Sequence, residues 1–224
     1  MRSPLSRPTT PDIFFGRDDV VSDILHHLLQ DTPSNVAISG GGGISKTSVG
    51  LHILQHPDLV LHFNSRRYFI SCEAIMMANT CILQHIRIPF TSNDNLIEIL
   101  AQAVVSLPHT LLILDNFETP WDDMSTRPEI SNVLRIITKS KNVSMIITIC
   151  GMTPPPAIMW TFRKPLLVLD PSAAHRLFLT INPMEDISKS EEEVLDLLLR
   201  DLDYVPLAIT LLAAVGQDFS LTTF

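Results

Sequence analysis

The sequence has few of the residues that build disulfide frameworks or basic nucleic-acid surfaces. It contains three cysteines, Cys72, Cys81 and Cys150, with no C-x-x-C pair among them. An odd number of scattered cysteines indicates reduced thiols in an intracellular protein. Lys and Arg number 16 against 24 Asp and Glu, which leaves a net charge of −8. This deficit of positive charge argues against a broad basic face, so we expect no nucleic-acid partner.

Long apolar runs are also missing. The longest, at 205–216, is interrupted by Pro206 and Thr210, and it falls short of the ~20 residues that a transmembrane helix needs. The first dozen residues are rich in proline, serine and threonine and have no apolar stretch that would serve as a signal peptide. We therefore expect a soluble, cytoplasmic protein with no membrane partner. The hydrophobic content of 46% is ample for a core.

Glycine is scarce, yet half of the eight glycines stand together at positions 40–43. They follow a short apolar segment, 36–38, and precede a Lys-Thr pair. Strand, glycine-rich loop, Lys-Thr and helix form the context of a P-loop, whose backbone N–H groups and lysine hold phosphates while its Ser/Thr hydroxyl holds Mg²⁺. A glycine-rich turn that binds nothing is the alternative, but four glycines carry an entropy cost that a plain turn does not require. The residues predicted to contact nucleotide here are Gly40, Gly41, Gly42, Gly43, Ile44, Ser45, Lys46, Thr47 and Ser48.

Apolar strands alternate with helical patterns along most of the chain. The predicted strands are 35–39, 68–70, 111–114, 145–147 and 166–169. The predicted helices begin at Asp18 and inside the glycine-rich loop, and continue at 74–87, 94–106 and 129–139. Such alternation predicts a parallel sheet covered on both faces. After Leu169 only helices are expected, one capped by Asp170-Pro171 and one by a capping box of Ser190 and Glu193.

The apolar strand at 109–115 ends in an acid, Asp115. A P-loop protein needs a carboxylate near the end of a buried strand to hold its metal. We therefore predict that Asp115 and Thr47 together coordinate Mg²⁺, with Lys46 bridging the outer phosphates.

Four motifs occur in a fixed order. They are Phe14-Phe15-Gly16-Arg17, Ile44-Ser45-Lys46-Thr47, Leu114-Asp115-Asn116-Phe117-Glu118-Thr119-Pro120-Trp121 and Val205-Pro206-Leu207-Ala208. Together they resemble the NB-ARC module of STAND-class P-loop NTPases, in the form common in fungal NOD-like receptor (NLR) proteins. The resemblance runs from about residue 12 to about residue 217, and the motif around Asp115 is its most specific element.

The resemblance implies an α/β P-loop NTPase three-layer fold with a five-stranded parallel sheet, followed by a small helical lid. It divides the chain into a flexible segment at 1–12, a nucleotide-binding domain at 13–170 and a lid at 171–224, with the chain ending before a winged-helix domain. Phe15, Gly16 and Arg17 would lie against base and ribose, and Pro206 would pack on the nucleotide from the lid. Family members are switches, closed with ADP and open with ATP, and the open form associates with copies of itself.

The chain departs from the family pattern at four positions. Ser45 replaces a glycine, Cys150 replaces an arginine that senses the third phosphate, and Tyr204 replaces the glycine of the lid motif. Asn116 stands where many relatives carry a second acid, and an amide cannot accept a proton from water. Asp115 and Glu118 are then the candidate catalytic residues, and we expect at most a slow ATPase.

Two functions therefore stay open at this stage. One is an ADP- or ATP-binding switch module of an NLR-like signalling protein, with Mg²⁺ as its metal. The other is a degenerate scaffold that no longer binds nucleotide and acts only in protein association. A metabolic kinase would need an acceptor pocket and a base, and the sequence has a pattern for neither.

Overall fold

Five parallel strands form one sheet at the centre of the structure. The computed structural model describes residues 8–73, 78–156, 158–184 and 187–216. The strands are β1 (Asn35–Gly40), β2 (Arg67–Ser71), β3 (Thr110–Asp115), β4 (Val143–Cys150) and β5 (Phe162–Pro165). Their order across the sheet is β2-β3-β4-β1-β5, and every neighbouring pair is parallel. The predicted five-stranded parallel sheet is confirmed.

Helices connect β1 to β2, β2 to β3 and β3 to β4, and further helices follow the last strand. The helices are α1 (Asp18–Leu28), α2 (Lys46–Gln55), α3 (Pro57–Phe63), α4 (Ala78–His85), α5 (Leu96–Ser106), α6 (Glu118–Asp122), α7 (Arg127–Thr138), α8 (Pro171–Ile181), α9 (Lys189–Asp201) and α10 (Pro206–Val215). The short helices α3 and α6 were not predicted, because neither is long enough to show an apolar repeat. The first residues of the helix predicted at 74–87, residues 74–77, lie outside the described residues, as do 1–7 and 217–224.

Two hydrophobic clusters lie on opposite faces of the sheet. Because successive strand side chains point to opposite faces, Leu112 and Leu114 of β3 enter one cluster and Leu111 and Ile113 enter the other. The first cluster is covered by α4, α5 and α7, and the second by α1, α2 and α3. The central strands β3 and β4 are buried almost throughout, as expected of a sheet covered on both faces.

The last three helices pack around a third cluster of their own. Ala173 and Phe178 of α8, Leu195 of α9 and Ile209 of α10 are fully buried in it. Partly buried Phe15 joins this cluster from the segment before α1. We call α8–α10 the lid helices, and their separation from the rest as a domain at residue 171 stays a prediction.

The predicted fifth strand was wrong in its position. The strand is β5, and the apolar run at 166–169 follows it as irregular chain. Leu166 is buried in a sheet cluster, Leu169 is buried in the lid cluster, and Leu167 is 71% exposed. The run is apolar because it connects two cores. Among the described residues, the edge strand β5 pairs with β1 alone, so it accommodates charged residues on its exposed face.

The predicted capping box of α9 was displaced by two residues. The Ser188 side chain accepts a hydrogen bond from the Glu191 backbone N–H, and the Glu191 carboxylate accepts one from the Ser188 backbone N–H. Ser190, the predicted cap, lies inside the helix. Both pairs satisfy the same sequence pattern, so spacing alone could not separate them. The predicted cap of α8 is confirmed, since Asp170 accepts a hydrogen bond from the Ala173 N–H at 2.9 Å.

Within the described residues, every helix is too short or too polar to cross a lipid bilayer.

Replacing Ser188 with alanine should lower the free energy of unfolding by about 1 kcal/mol, because the first turn of α9 loses its side-chain cap. Denaturant titration measures this change. Ser190→Ala is the matched control, since this exposed serine is the second residue of the same helix and its hydroxyl contacts the Ser188 hydroxyl rather than a backbone N–H. An equal loss in both variants would contradict the observed cap.

Candidate functional site

The glycine-rich loop joins the carboxyl end of β1 to the first turn of α2. Gly43 has φ 72°, and a Cβ there would lie 2.9 Å from Cβ of Leu207 on α10. The Gly43 carbonyl also accepts a hydrogen bond from the Leu207 backbone N–H at 3.1 Å. Glycine is required at this position because the loop turns left-handed directly against a lid helix. The loop and the lid are therefore in contact.

The backbone N–H groups of this loop are available to a ligand. Within the described residues, none of the backbone N–H groups of residues 41–48 donates a hydrogen bond to another group of the protein. Residues 42–48 line a cleft of about 630 Å³, a size suited to a small-molecule ligand. Unpaired N–H groups at the start of a helix form an anion-binding concavity.

The Lys46 ammonium lies at the end of the loop and is 7% exposed. It donates hydrogen bonds to the carbonyls of Gly40 at 3.0 Å and Gly41 at 2.7 Å. A third contact, of 3.2 Å, joins its Nζ to Sγ of Cys150. Because an ammonium has three hydrogens, an anion must take over one of these contacts to bind Lys46.

Thr47 and Asp115 meet beside the loop. The Thr47 hydroxyl donates to the Asp115 carboxylate, at 3.1 Å from Oδ1 and 3.0 Å from Oδ2. Thr148 donates to Oδ1 from the neighbouring strand at 2.6 Å. Asp115 is 3% exposed, and burial raises its pKa while both hydroxyl hydrogen bonds and Lys46 act in the opposite direction. The arrangement is a buried carboxylate next to a hydroxyl that reaches the cleft.

Phe15, Gly16 and Arg17 form the opposite wall. Phe15 and Arg17 line the cleft, whereas Gly16, with φ 65°, lies against Ala173, where a Cβ would come within 2.7 Å. The Arg17 guanidinium is 5% exposed and donates to the carbonyls of Leu167 and Ile44. Burial lowers its pKa, an effect that nearby Asp170 opposes. Arg17 thus connects the glycine-rich loop to the chain after β5.

The lid closes the third side of the cleft through Pro206, Leu207 and Thr210. Tyr204, just before α10, has φ 53°. A side chain disfavours this left-handed conformation, which glycine adopts without steric cost. The Tyr204 carbonyl accepts a hydrogen bond from the Leu169 N–H at 3.1 Å, which holds the entry to α10 against the end of the sheet region.

Glu118 lies behind the cleft. Its Oε2 accepts a hydrogen bond from the Cys150 backbone N–H at 3.0 Å. Asn116, with φ 53°, lines the cleft and directs its N–H to the Thr148 hydroxyl. The predicted catalytic carboxylates, Asp115 and Glu118, are thus both engaged in hydrogen bonds, and neither lines the cleft.

The structure brings most of the predicted nucleotide residues to one cleft. Those lining it are Phe15, Arg17, Gly42, Gly43, Ile44, Ser45, Lys46, Thr47, Ser48 and Pro206, whereas Gly16, Gly40, Gly41, Asp115 and Glu118 do not line it. Further lining residues were not predicted, among them Leu169, Leu177, Ile181 and Thr210. Leu177 and Ile181, four residues apart on α8, follow the apolar periodicity of an ordinary helix core. Thr148, which donates a hydrogen bond to Asp115, could have been recognised from the sequence, because it is a polar residue within the apolar strand β4.

The chain resembles no protein-family model and no curated protein in sequence. Its fold, however, matches solved structures. A signal transduction ATPase with numerous domains (STAND) from Pyrococcus horikoshii, which has a tetratricopeptide repeat sensor, matches with TM-score 0.65 and 16% identity over 99% of this chain and 34% of its own. A Walker-type ATPase of Pyrococcus abyssi matches with TM-score 0.64 and 12% identity, over 97% of this chain and 72% of its own.

The Aeropyrum pernix ORC1 protein, solved in complex with DNA, matches with TM-score 0.68 and 15% identity over 92% of this chain and 61% of its own. The chain thus spans about a third of the length of the STAND protein. At such identities the likeness establishes the fold alone. The structure has an α/β P-loop NTPase-like fold of the kind found in STAND and Walker-type ATPases.

Proposed function

We propose that this chain binds a nucleoside diphosphate or triphosphate with Mg²⁺ and serves as a nucleotide-dependent switch module of an NLR-like signalling protein. The observation that carries the proposal is the row of unpaired backbone N–H groups at 42–48, residues that line a cleft of about 630 Å³ together with the Lys46 ammonium. These donors match the oxygens of a terminal phosphate.

Thr47 and Asp115 fit a magnesium ion. The donor set is oxygen only, as Mg²⁺ prefers, and the two side chains already touch. A bound Mg²⁺ neutralises phosphate charge and usually keeps several waters. Thr47 would supply its hydroxyl oxygen as a ligand, while Asp115 would contribute its carboxylate directly or through a water.

The far end of the cleft suits a base and a ribose. Phe15, Leu169, Leu177 and Ile181 provide apolar surface there, and Pro206 lies on the lid side. A nucleotide filling the cleft would contact both the sheet side and the lid. Since a ligand shifts a conformational equilibrium only through different affinity for its two states, contact with both parts is the physical requirement for a switch.

The signalling role rests on the motifs that resemble NB-ARC modules and on the likeness to a STAND protein that carries a repeat sensor. Self-association with like modules belongs to the same proposal. ORC1 was solved with DNA, but a net charge of −8 provides little electrostatic attraction for nucleic acid. We therefore propose no nucleic-acid partner.

Hydrolysis is proposed to be slow or absent. A general base must lie within hydrogen-bond reach of the attacking water, directly or through one further water. Glu118 accepts from the Cys150 N–H behind the cleft, and the neighbouring cleft residue is Asn116, whose amide cannot act as a base.

One observation favours the alternative, a scaffold without nucleotide. All three hydrogens of the Lys46 ammonium have partners within the protein, so this buried charge is stabilised without a phosphate. Thermal unfolding with nucleotide separates the two functions, since a ligand at 100 times its dissociation constant stabilises the folded state by about 2.7 kcal/mol.

Binding of ADP with Mg²⁺, measured by calorimetric titration, should weaken by about ten- to a hundredfold in Lys46→Ala, because one charge-assisted contact to phosphate is lost. Lys139→Ala, which removes a lysine of equal charge from an exposed position, is the matched control and should bind as wild type does. If wild type shows neither a titration signal nor a thermal shift with ADP or ATP, the chain is a scaffold that does not bind nucleotide.

Ser45→Gly should raise the free energy of unfolding by about 0.5–1 kcal/mol and tighten ADP binding. Ser45 has φ 73°, a left-handed conformation that costs a side chain about 1 kcal/mol or more. Ser45→Ala keeps the Cβ and should give neither gain. Similar gains from alanine and glycine would show that the Ser45 hydroxyl, rather than the backbone conformation, lowers the stability and the ADP affinity of wild type.

Asp115→Asn should abolish the increase in nucleotide affinity that Mg²⁺ produces. Without ligand it should also make the protein more stable at neutral pH. The folded-state pKa of Asp115 is raised by burial, so its ionisation opposes folding as the pH rises through the ordinary carboxyl range toward the raised value. The stability difference should vanish in acid, where wild-type Asp115 is protonated both folded and unfolded. Denaturant titrations at two pH values measure it, and a constant difference would contradict this account.

A further inference from the structure

Two side chains that the proposed binding mode leaves unexplained, Cys150 and Glu118, lie beside Lys46 at the end of the glycine-rich loop. The exposed thiol of Cys150 lines the cleft 3.2 Å from Nζ of Lys46. Behind it, the Glu118 carboxylate accepts a hydrogen bond from the Cys150 N–H. Burial raises the pKa of the Cys150 thiol, as does its hydrogen bond with Glu118, whereas Lys46 lowers it. The thiol thus lies between an ammonium and a carboxylate, and it is neutral at pH 7.

The contact with Cys150 is the one that a phosphate would displace. Of the three partners of Lys46, two are loop carbonyls and the third is this sulfur, which is the weakest acceptor. A phosphate oxygen forms a much stronger charge-assisted hydrogen bond. The terminal phosphate held by Lys46 would therefore take the place of the sulfur, with Cys150 as its next neighbour.

Beyond that phosphate, the described part of the cleft contains no further positive charge. Among the described residues, Arg17 and Lys46 are the two cations that line the cleft. Arg17 points to the carbonyls of Leu167 and Ile44, and Lys46 is used by the phosphate already bound. A third phosphate on the Cys150 side would meet a neutral thiol with a carboxylate behind it. Apart from the Mg²⁺ that binds with the nucleotide, no cation there would offset the repulsion between this phosphate and the Glu118 carboxylate, and facing like charges disfavour binding.

We propose that Cys150 and Glu118 determine ligand choice by making the cleft selective for nucleoside diphosphates over triphosphates. The inference rests on the proposed nucleotide binding and assigns the selectivity to two residues that do not hold the ligand. Thiol and carboxylate act together, because the thiol offers no charge to a third phosphate and the carboxylate opposes it.

The test compares dissociation constants for ADP and for a non-hydrolysable ATP analogue, each with Mg²⁺, by calorimetric titration. Wild type should bind ADP about tenfold more tightly, or better, which corresponds to about 1.4 kcal/mol. Cys150→Arg, which introduces a cation, and Glu118→Gln, which removes a charge but keeps an acceptor for the Cys150 N–H, should each reduce this ratio by several-fold.

Cys150→Ala is the control for loss of the thiol alone, and it should leave most of the selectivity in place because Glu118 remains. Glu118→Gln is nearly isosteric, so the ratio of the two dissociation constants can still be compared with wild type if Cys150→Arg fails to fold. Equal affinities of wild type for the two ligands, or an unchanged ratio in Glu118→Gln, would overturn the selectivity while leaving nucleotide binding intact. Failure of wild type to bind either ligand would overturn the proposed function itself.

Discussion

Parallel pairing of β1, β4 and β3 is the constraint on which the site depends. In a parallel sheet all carboxyl ends lie at one edge, where α/β proteins bind their ligands. The register places Gly40 opposite Cys150 and Ile38 opposite Thr148, so the loop after β1 begins beside the end of β4. β3, on the other side of β4, brings Asp115 within hydrogen-bond distance of both threonine hydroxyls. A slip of β4 along β1 would disperse these groups.

The polar groups of the site compensate one another without a ligand. Asp115 is nearly fully buried but accepts hydrogen bonds from two hydroxyls, and Lys46 donates to two carbonyls of its own loop. The loop N–H groups differ, because nothing in the described chain accepts from them. The charged side chains of the site therefore have hydrogen-bond partners within the protein, whereas the backbone N–H groups of the loop have none among the described residues. This asymmetry suits a ligand that brings negative oxygens together with a metal ion of its own.

Contact between the phosphate loop and the lid links the two parts of the cleft. Gly43 touches Leu207 by both a backbone hydrogen bond and close packing, and Gly16 lies equally close to α8. Two residues adjoining these contacts, Ser45 and Tyr204, adopt left-handed conformations that glycine would tolerate better. Unfavourable backbone conformations persist where surrounding structure enforces them, often at ligand-binding and switching regions. In this chain they flank both sides of the loop–lid contact.

The amino-acid sequence by itself determined most of the local elements and the glycine-rich loop. The glycine run, the Lys-Thr pair and the strand ending in Asp115 were recognisable because their spacing reflects the period of strands and the start of a helix. Tertiary structure decided which residues share the cleft. Leu177 and Thr210 reach it only through packing of the lid, and Glu118 turns away from it toward Cys150. Segment 166–169 shows the same limit, because its apolar pattern is equally compatible with a strand and with a connection buried between two cores. Local patterns record burial and period, whereas the neighbour against which a residue is buried depends on how distant segments pair.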